Sequence, residues 1–176
     1  MEENQPKTGK YALKYGIILG VIGIVFALML YSMDMHYQYD LKRIATDIGI
    51  GLVFIIVASI FAMREFKKAN NGFMSFGQAM KIGVGLALVS GIIGLIFSFI
   101  LTEVIDPDTN QKIMDYTVEW MREMDIPEAK IDEQIEGQKN QTPIRKIATQ
   151  LMFSIVLGFI GALFPALALK KSENVN

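Results

Sequence analysis

The chain has no cysteine, a single histidine (His36) and a single tryptophan (Trp120), and its charges nearly cancel at net −1 with a pI near 5.9. Without cysteine there are no disulfides, no thiolate metal ligands and no thiol nucleophile. A near-neutral balance lacks the basic footprint of a nucleic-acid binder, so no nucleic-acid partner is expected. Also missing are a Walker-type phosphate loop, a glycine-rich dinucleotide turn and zinc-spaced ligand pairs. Charge is absent locally as well. Four apolar runs, at 16–33, 44–63, 82–102 and 151–169, contain one charged residue between them, Asp47.

Each run is about eighteen or more residues long, close to the ~20 that cross a ~30 Å hydrocarbon core as a helix. The runs are apolar all round, whereas a surface helix of a soluble domain confines its apolar residues to one stripe. The fold class is therefore all-α: an integral membrane protein, one domain over residues 1–176, with four transmembrane helices. Lys7, Lys10 and Lys14 resemble the n-region of a signal peptide, but the first run continues to Met33 without a small-x-small site, so an uncleaved span is expected. Four spans place both termini on one side. Lys7, Lys10, Lys14, Arg64, Lys67, Lys68, Lys81, Lys170 and Lys171 gather there, close to span ends, which predicts cytoplasmic N- and C-termini.

Local signals set the boundaries. Lys68-Ala69-Asn70-Asn71-Gly72 is a turn cluster, and Ser75 with Gln78 is a capping-box pattern that starts the third helix at Phe76. Thr142-Pro143 is an N-cap followed by proline at the first helical position. Tyr11, Tyr15, Tyr31, Tyr37 and Tyr39 flank the first span as an aromatic belt would, and Pro165 is placed to bend the last turns of the fourth. The acidic segment 106–142 predicts two helices. One is capped by Asp108 and Gln111 and runs to about Met124, and the other is opened by Pro127 and ended by Gly137. Together they read as an extracytoplasmic helical hairpin.

The stretch Gly72-Phe73-Met74-Ser75-Phe76-Gly77-Gln78-Ala79-Met80-Lys81-Ile82-Gly83, followed by a small-residue-rich span and the exit Ile105-Asp106-Pro107, resembles the bacterial membrane family called domain of unknown function 4199. The resemblance extends from about Lys10 to Lys170. It implies four membrane helices in a Gram-negative bacterial envelope with no established activity, and supplies no catalytic residues to carry over; the expected location is the cell inner membrane.

Small residues repeat every four positions: Gly16 and Gly20 in the first span, Gly83, Ala87 and Gly91 in the third, Ser154, Gly158, Ala162 and Ala166 in the fourth. Such rows let helix backbones approach closely in lipid, where no hydrophobic drive brings helices together. They serve packing within one chain or a homo-oligomer face. Asp47 is an intramembrane polar candidate, but Arg43 lies four residues before it on the same face, and an interface-level ion pair is the better reading. His36 with Met33 and Met35, extended by Met121 and Met124, has the donor chemistry of a Cu(I) site. A histidine at a polar interface is the simpler account, and no metal or cofactor is assigned. The loop carboxylates, Asp106 among them, are spaced as a solvated face without a nucleophile–base pair, so the chain is not read as an enzyme. Ile113, Trp120 and Met124 form a possible face for an envelope partner, beyond the lipid bilayer itself. The alternative is a small transporter or channel subunit acting as a homo-oligomer, its path lined by Asp47, Ser59, Ser90, Ser98 and Thr102.

Overall fold

A computed structural model describes residues 6–171. Its regular elements are helices: α1 (Thr8–Ser32), α2 (Leu41–Ala69), α3 (Phe76–Ile100, continued by a π-helical turn Leu101–Ile105), α4 (Thr109–Glu123), α5 (Glu128–Lys139) and α6 (Pro143–Leu169). α1, α2, α3 with its π turn, and α6 are each long and apolar enough to cross a membrane. Their large apolar side chains point outward, as at Phe99, Val104 and Phe164, which are about two-thirds exposed. That arrangement suits lipid and not water.

Capping chemistry sets the helix starts. Ser75 accepts from Gln78 N, and the Gln78 side chain accepts from Ser75 N, so both halves of the capping box are made. Thr142 and Asp40 accept from the backbone of Arg145 and Arg43. Asp108 does not act as expected. Its backbone is already in the helical region and its side chain caps nothing, because an N-cap needs an extended residue to turn its oxygen back over the first turn. α5 also runs through Gly137 to Lys139, since one mid-helix glycine costs only about 1 kcal/mol against alanine.

Three helix ends use the same stop. Asp34, Asn71 and Asp125 adopt φ values of 54°, 52° and 55°. The next residue then donates back five positions: Met35 to Leu30 O, Gly72 to Lys67 O and Ile126 to Met121 O. This is the Schellman pattern, with the short polar side chains of Asp and Asn tolerating the left-handed region.

The four long helices form a ring in which α3 packs mainly on α1 and α6, and α2 on α6. The rows of α3 and α6 meet each other inside the chain, and the row of α1 meets branched side chains of α3. A Cβ on Gly16 would sit 2.6 Å from Val89 Cβ of α3, and one on Gly20 would strike Ile93. Gly83 lies against Ala162, Gly91 against Ser154, and Gly158 against Ala87. The core built on these contacts (Met63, Phe66, Ile82, Leu86, Ala162, Ala166) occupies the end of the bundle that holds the termini. That end is also tied by backbone pairing of Met74 with Lys171, by Lys67 Nζ donating to Leu169 O, and by Lys14 with Glu65. Tyr11 is buried there edge-on against Phe66 at 5.4 Å, and so is not a belt residue.

Toward the other end the helices splay. No residue of α1 after Gly20, of α2 before Ile55 or of α6 before Gly158 is buried. α4 and α5 stand at this looser end. Among the described helices α5 packs on α4, and α4 meets the long helices at the π turn.

Candidate functional site

The polar centre of the looser end is built from three segments. The Schellman turn after α1 swings the chain so that His36 faces back across the bundle. The π turn after α3 closes with Asp106 N donating to Leu101 O, and Pro107 holds Asp106 out of the helical region. α4 then presents Thr109, Lys112 and Tyr116 on one face, by their spacing of three and four. His36 Nε2 lies 2.9 Å from Asp106 Oδ2, and Lys112 Nζ lies 2.7 Å from the same oxygen. His36, Asp106 and Thr109 are all buried.

Asp106 is thus no member of a solvated acidic face. The Lys112 ammonium, followed by His36, holds its carboxyl down at about 2 against the opposing effect of burial. The same contact raises Lys112. Aromatic rings close the site, with Tyr31 at 4.9 Å and Tyr37 at 5.1 Å from the His36 ring and Tyr37 at 6.4 Å from Tyr116. Tyr116 donates to Asp40 Oδ2 at 3.3 Å, and burial followed by the Asp40 charge raises its hydroxyl. These contacts clamp the first half of α4 to the α1–α2 loop. Tyr31 and Tyr37 serve the clamp and are not simply belt residues.

The other sequence candidates fall elsewhere. Asp47 pairs with Arg43 at 2.9 Å at the start of α2. Met121 and Met124 lie ~14–18 Å along α4 from Lys112, so they do not join His36. Met33 is exposed, and among the described residues no group of three or more His, Cys, Asp or Glu could hold a metal. Of the groups named for a polar path, Ser59 is fully buried, Ser90 is half-buried, Ser98 is exposed, and Thr102 bonds back to Ser98 O.

Of the proposed partner face, Ile113 and Trp120 are half-buried and Met124 is exposed. Ile113 turns into an open cleft of about 1210 Å³ between α4, α5 and the first turns of α6, with Met114, Val118 and Ile135 beside it and Arg122 and Lys146 among the charges around them. Sequence periodicity alone missed the clamp. Its signal was the lone histidine directly after one span and an aspartate directly after another, at the same end of the bundle.

Comparison with known proteins adds one decisive match. Residues 14–171 fit the model of the family described as "Protein of unknown function (DUF4199)". The chain belongs to this family. No curated protein and no solved structure matches it.

Proposed function

We propose that this DUF4199 chain is a non-enzymatic inner-membrane protein of the bacterial envelope, with both termini in the cytoplasm, that binds another envelope component through residues 106–142. The observation that carries this reading is the open cleft between α4, α5 and α6. It combines apolar walls at Ile113, Val118 and Ile135 with a charged rim, the mixture a protein partner's surface meets well. The clamp at Asp106 holds one end of α4 to the bundle while the cleft face remains accessible. The basic residues at the terminal end support the cytoplasmic assignment.

Photocrosslinking from position 113 or 135 in native membranes tests the reading. A specific heterologous product that disappears when the unlabelled cleft wall carries an added Val118→Asp, with insertion unchanged, supports it. Products that survive the charge, or only self-products, would overturn it.

A further inference from the structure

The splayed half of the bundle contains a second cavity, of about 370 Å³, between the end of α1 and the start of α2. Phe26 and Leu30 of α1 and Ile50 of α2 wall its deep part, while Lys42, Arg43 and Asp47 line its mouth. α2 has 29 residues, about 43 Å at 1.5 Å per residue, which exceeds a ~30 Å hydrocarbon core and leaves its first turns at headgroup depth. Seven residues separate Arg43 from Ile50, roughly 10 Å of rise, so the cavity passes from headgroups into hydrocarbon. In a bilayer a dry gap between splayed helices is filled by an acyl chain.

The mouth also has unspent hydrogen-bonding capacity of a particular kind. Arg43, itself largely buried and lining the cavity, engages Asp47 through Nε at 2.9 and 3.0 Å, and its Nη groups have no hydrogen-bond partner among the described residues. Lys42 is exposed and forms no ion pair among the described residues. Asp47 retains acceptor sites beyond its contact with Arg43, since a carboxylate offers about four. Asp40, also at the mouth, is occupied by Arg43 N and by Tyr116. Two cations and two carboxylates give a mouth of zero net charge.

We propose that this cavity binds one phospholipid whose phosphate carries a primary ammonium, of the phosphatidylethanolamine type. The phosphate sits on Lys42 and the free Nη groups of Arg43, the ammonium donates to Asp47, and one acyl chain lies along Phe26, Leu30 and Ile50. A purely anionic headgroup would leave the carboxylates facing negative charge. A choline headgroup has no N–H to give Asp47.

The test reconstitutes the full chain in nanodiscs of equal parts phosphatidylethanolamine, phosphatidylcholine and phosphatidylglycerol, then counts retained lipids by native mass spectrometry. The expected result is one phosphatidylethanolamine, retained about tenfold over either other lipid, as one charge-assisted hydrogen bond allows. Lys42→Gln, an exposed change that leaves the fold intact, lowers that retention about tenfold. Ile50→Trp, which fills the wall, abolishes it, and Lys68→Gln at the opposite end leaves it unchanged. Equal retention of the three lipids, a preference for phosphatidylglycerol, or wild-type retention in Lys42→Gln would each overturn the proposal.

Discussion

His36 Nε2 and Asp106 Oδ2 stand 2.9 Å apart although seventy residues separate them, and the contact joins the exit of the first span to the exit of the third. Lys112 completes it from α4. One carboxylate oxygen thus links three segments, the turn after α1, the exit of α3 and α4, beside the Tyr116–Asp40 contact.

That coupling predicts an acid transition. Asp106 titrates below its ordinary 3.8, at about 2, so its contribution is complete above the unfolded value and is lost as pH falls through the folded one. Emission from Trp120 on α4 should stay constant from neutral pH to about 4 and change between there and about 2. Asp106→Asn should give the released emission already at neutral pH and faster amide exchange over Thr109–Glu123. An identical pH profile in wild type and variant would sink the clamp.

The close helix approach makes glycines unequal. Gly158→Ala would put a methyl 2.6 Å from Ala87 Cβ and 3.2 Å from Val84 Cα, so a loss of about 1–3 kcal/mol is expected from overpacking. Gly94 has nothing within 4 Å, and Gly94→Ala should be neutral or stabilising by up to about 1 kcal/mol. Reversible unfolding in mixed micelles measures both, and equal effects would refute the packing scheme.

Ser59 is fully buried in α2, and among the described residues its hydroxyl has no hydrogen-bond partner. Removing an unsatisfied buried donor relieves a desolvation penalty, so Ser59→Ala should stabilise the bundle by about 1 kcal/mol. A marked loss of stability in the same assay would show that the hydroxyl has a partner.

The capping box at α3 is worth about 1 kcal/mol, as for other N-caps. Ser75→Ala should cost that much, with faster exchange at the amide of Gln78, whose hydrogen bond is removed. Unchanged exchange there would contradict the cap.

The four spans and most helix starts were legible in the sequence because their causes are local. An apolar block of sufficient length has one stable state in hydrocarbon, and Ser75, Thr142 and Pro143 act on residues within one turn. The Asp108 cap does not form, and Gly137 does not stop α5, because neither local preference outweighs its surroundings. α4 begins on the carbonyl of Asp106, where the π turn leaves it, and that exit is set by packing as well as by sequence.

The sequence by itself thus determined class, span number and the shared side of the termini, since burial of backbone groups in lipid depends on composition and length alone. Tertiary structure decided which rows meet, because Gly83 and Ala162 are selected by shape across two helices and each row alone fits many partners. It also decided that Asp106 is a buried ion-pair member and not a solvated carboxylate, because a charge's role depends on what neighbours it in space, and His36 reaches it only when the first and third spans stand side by side.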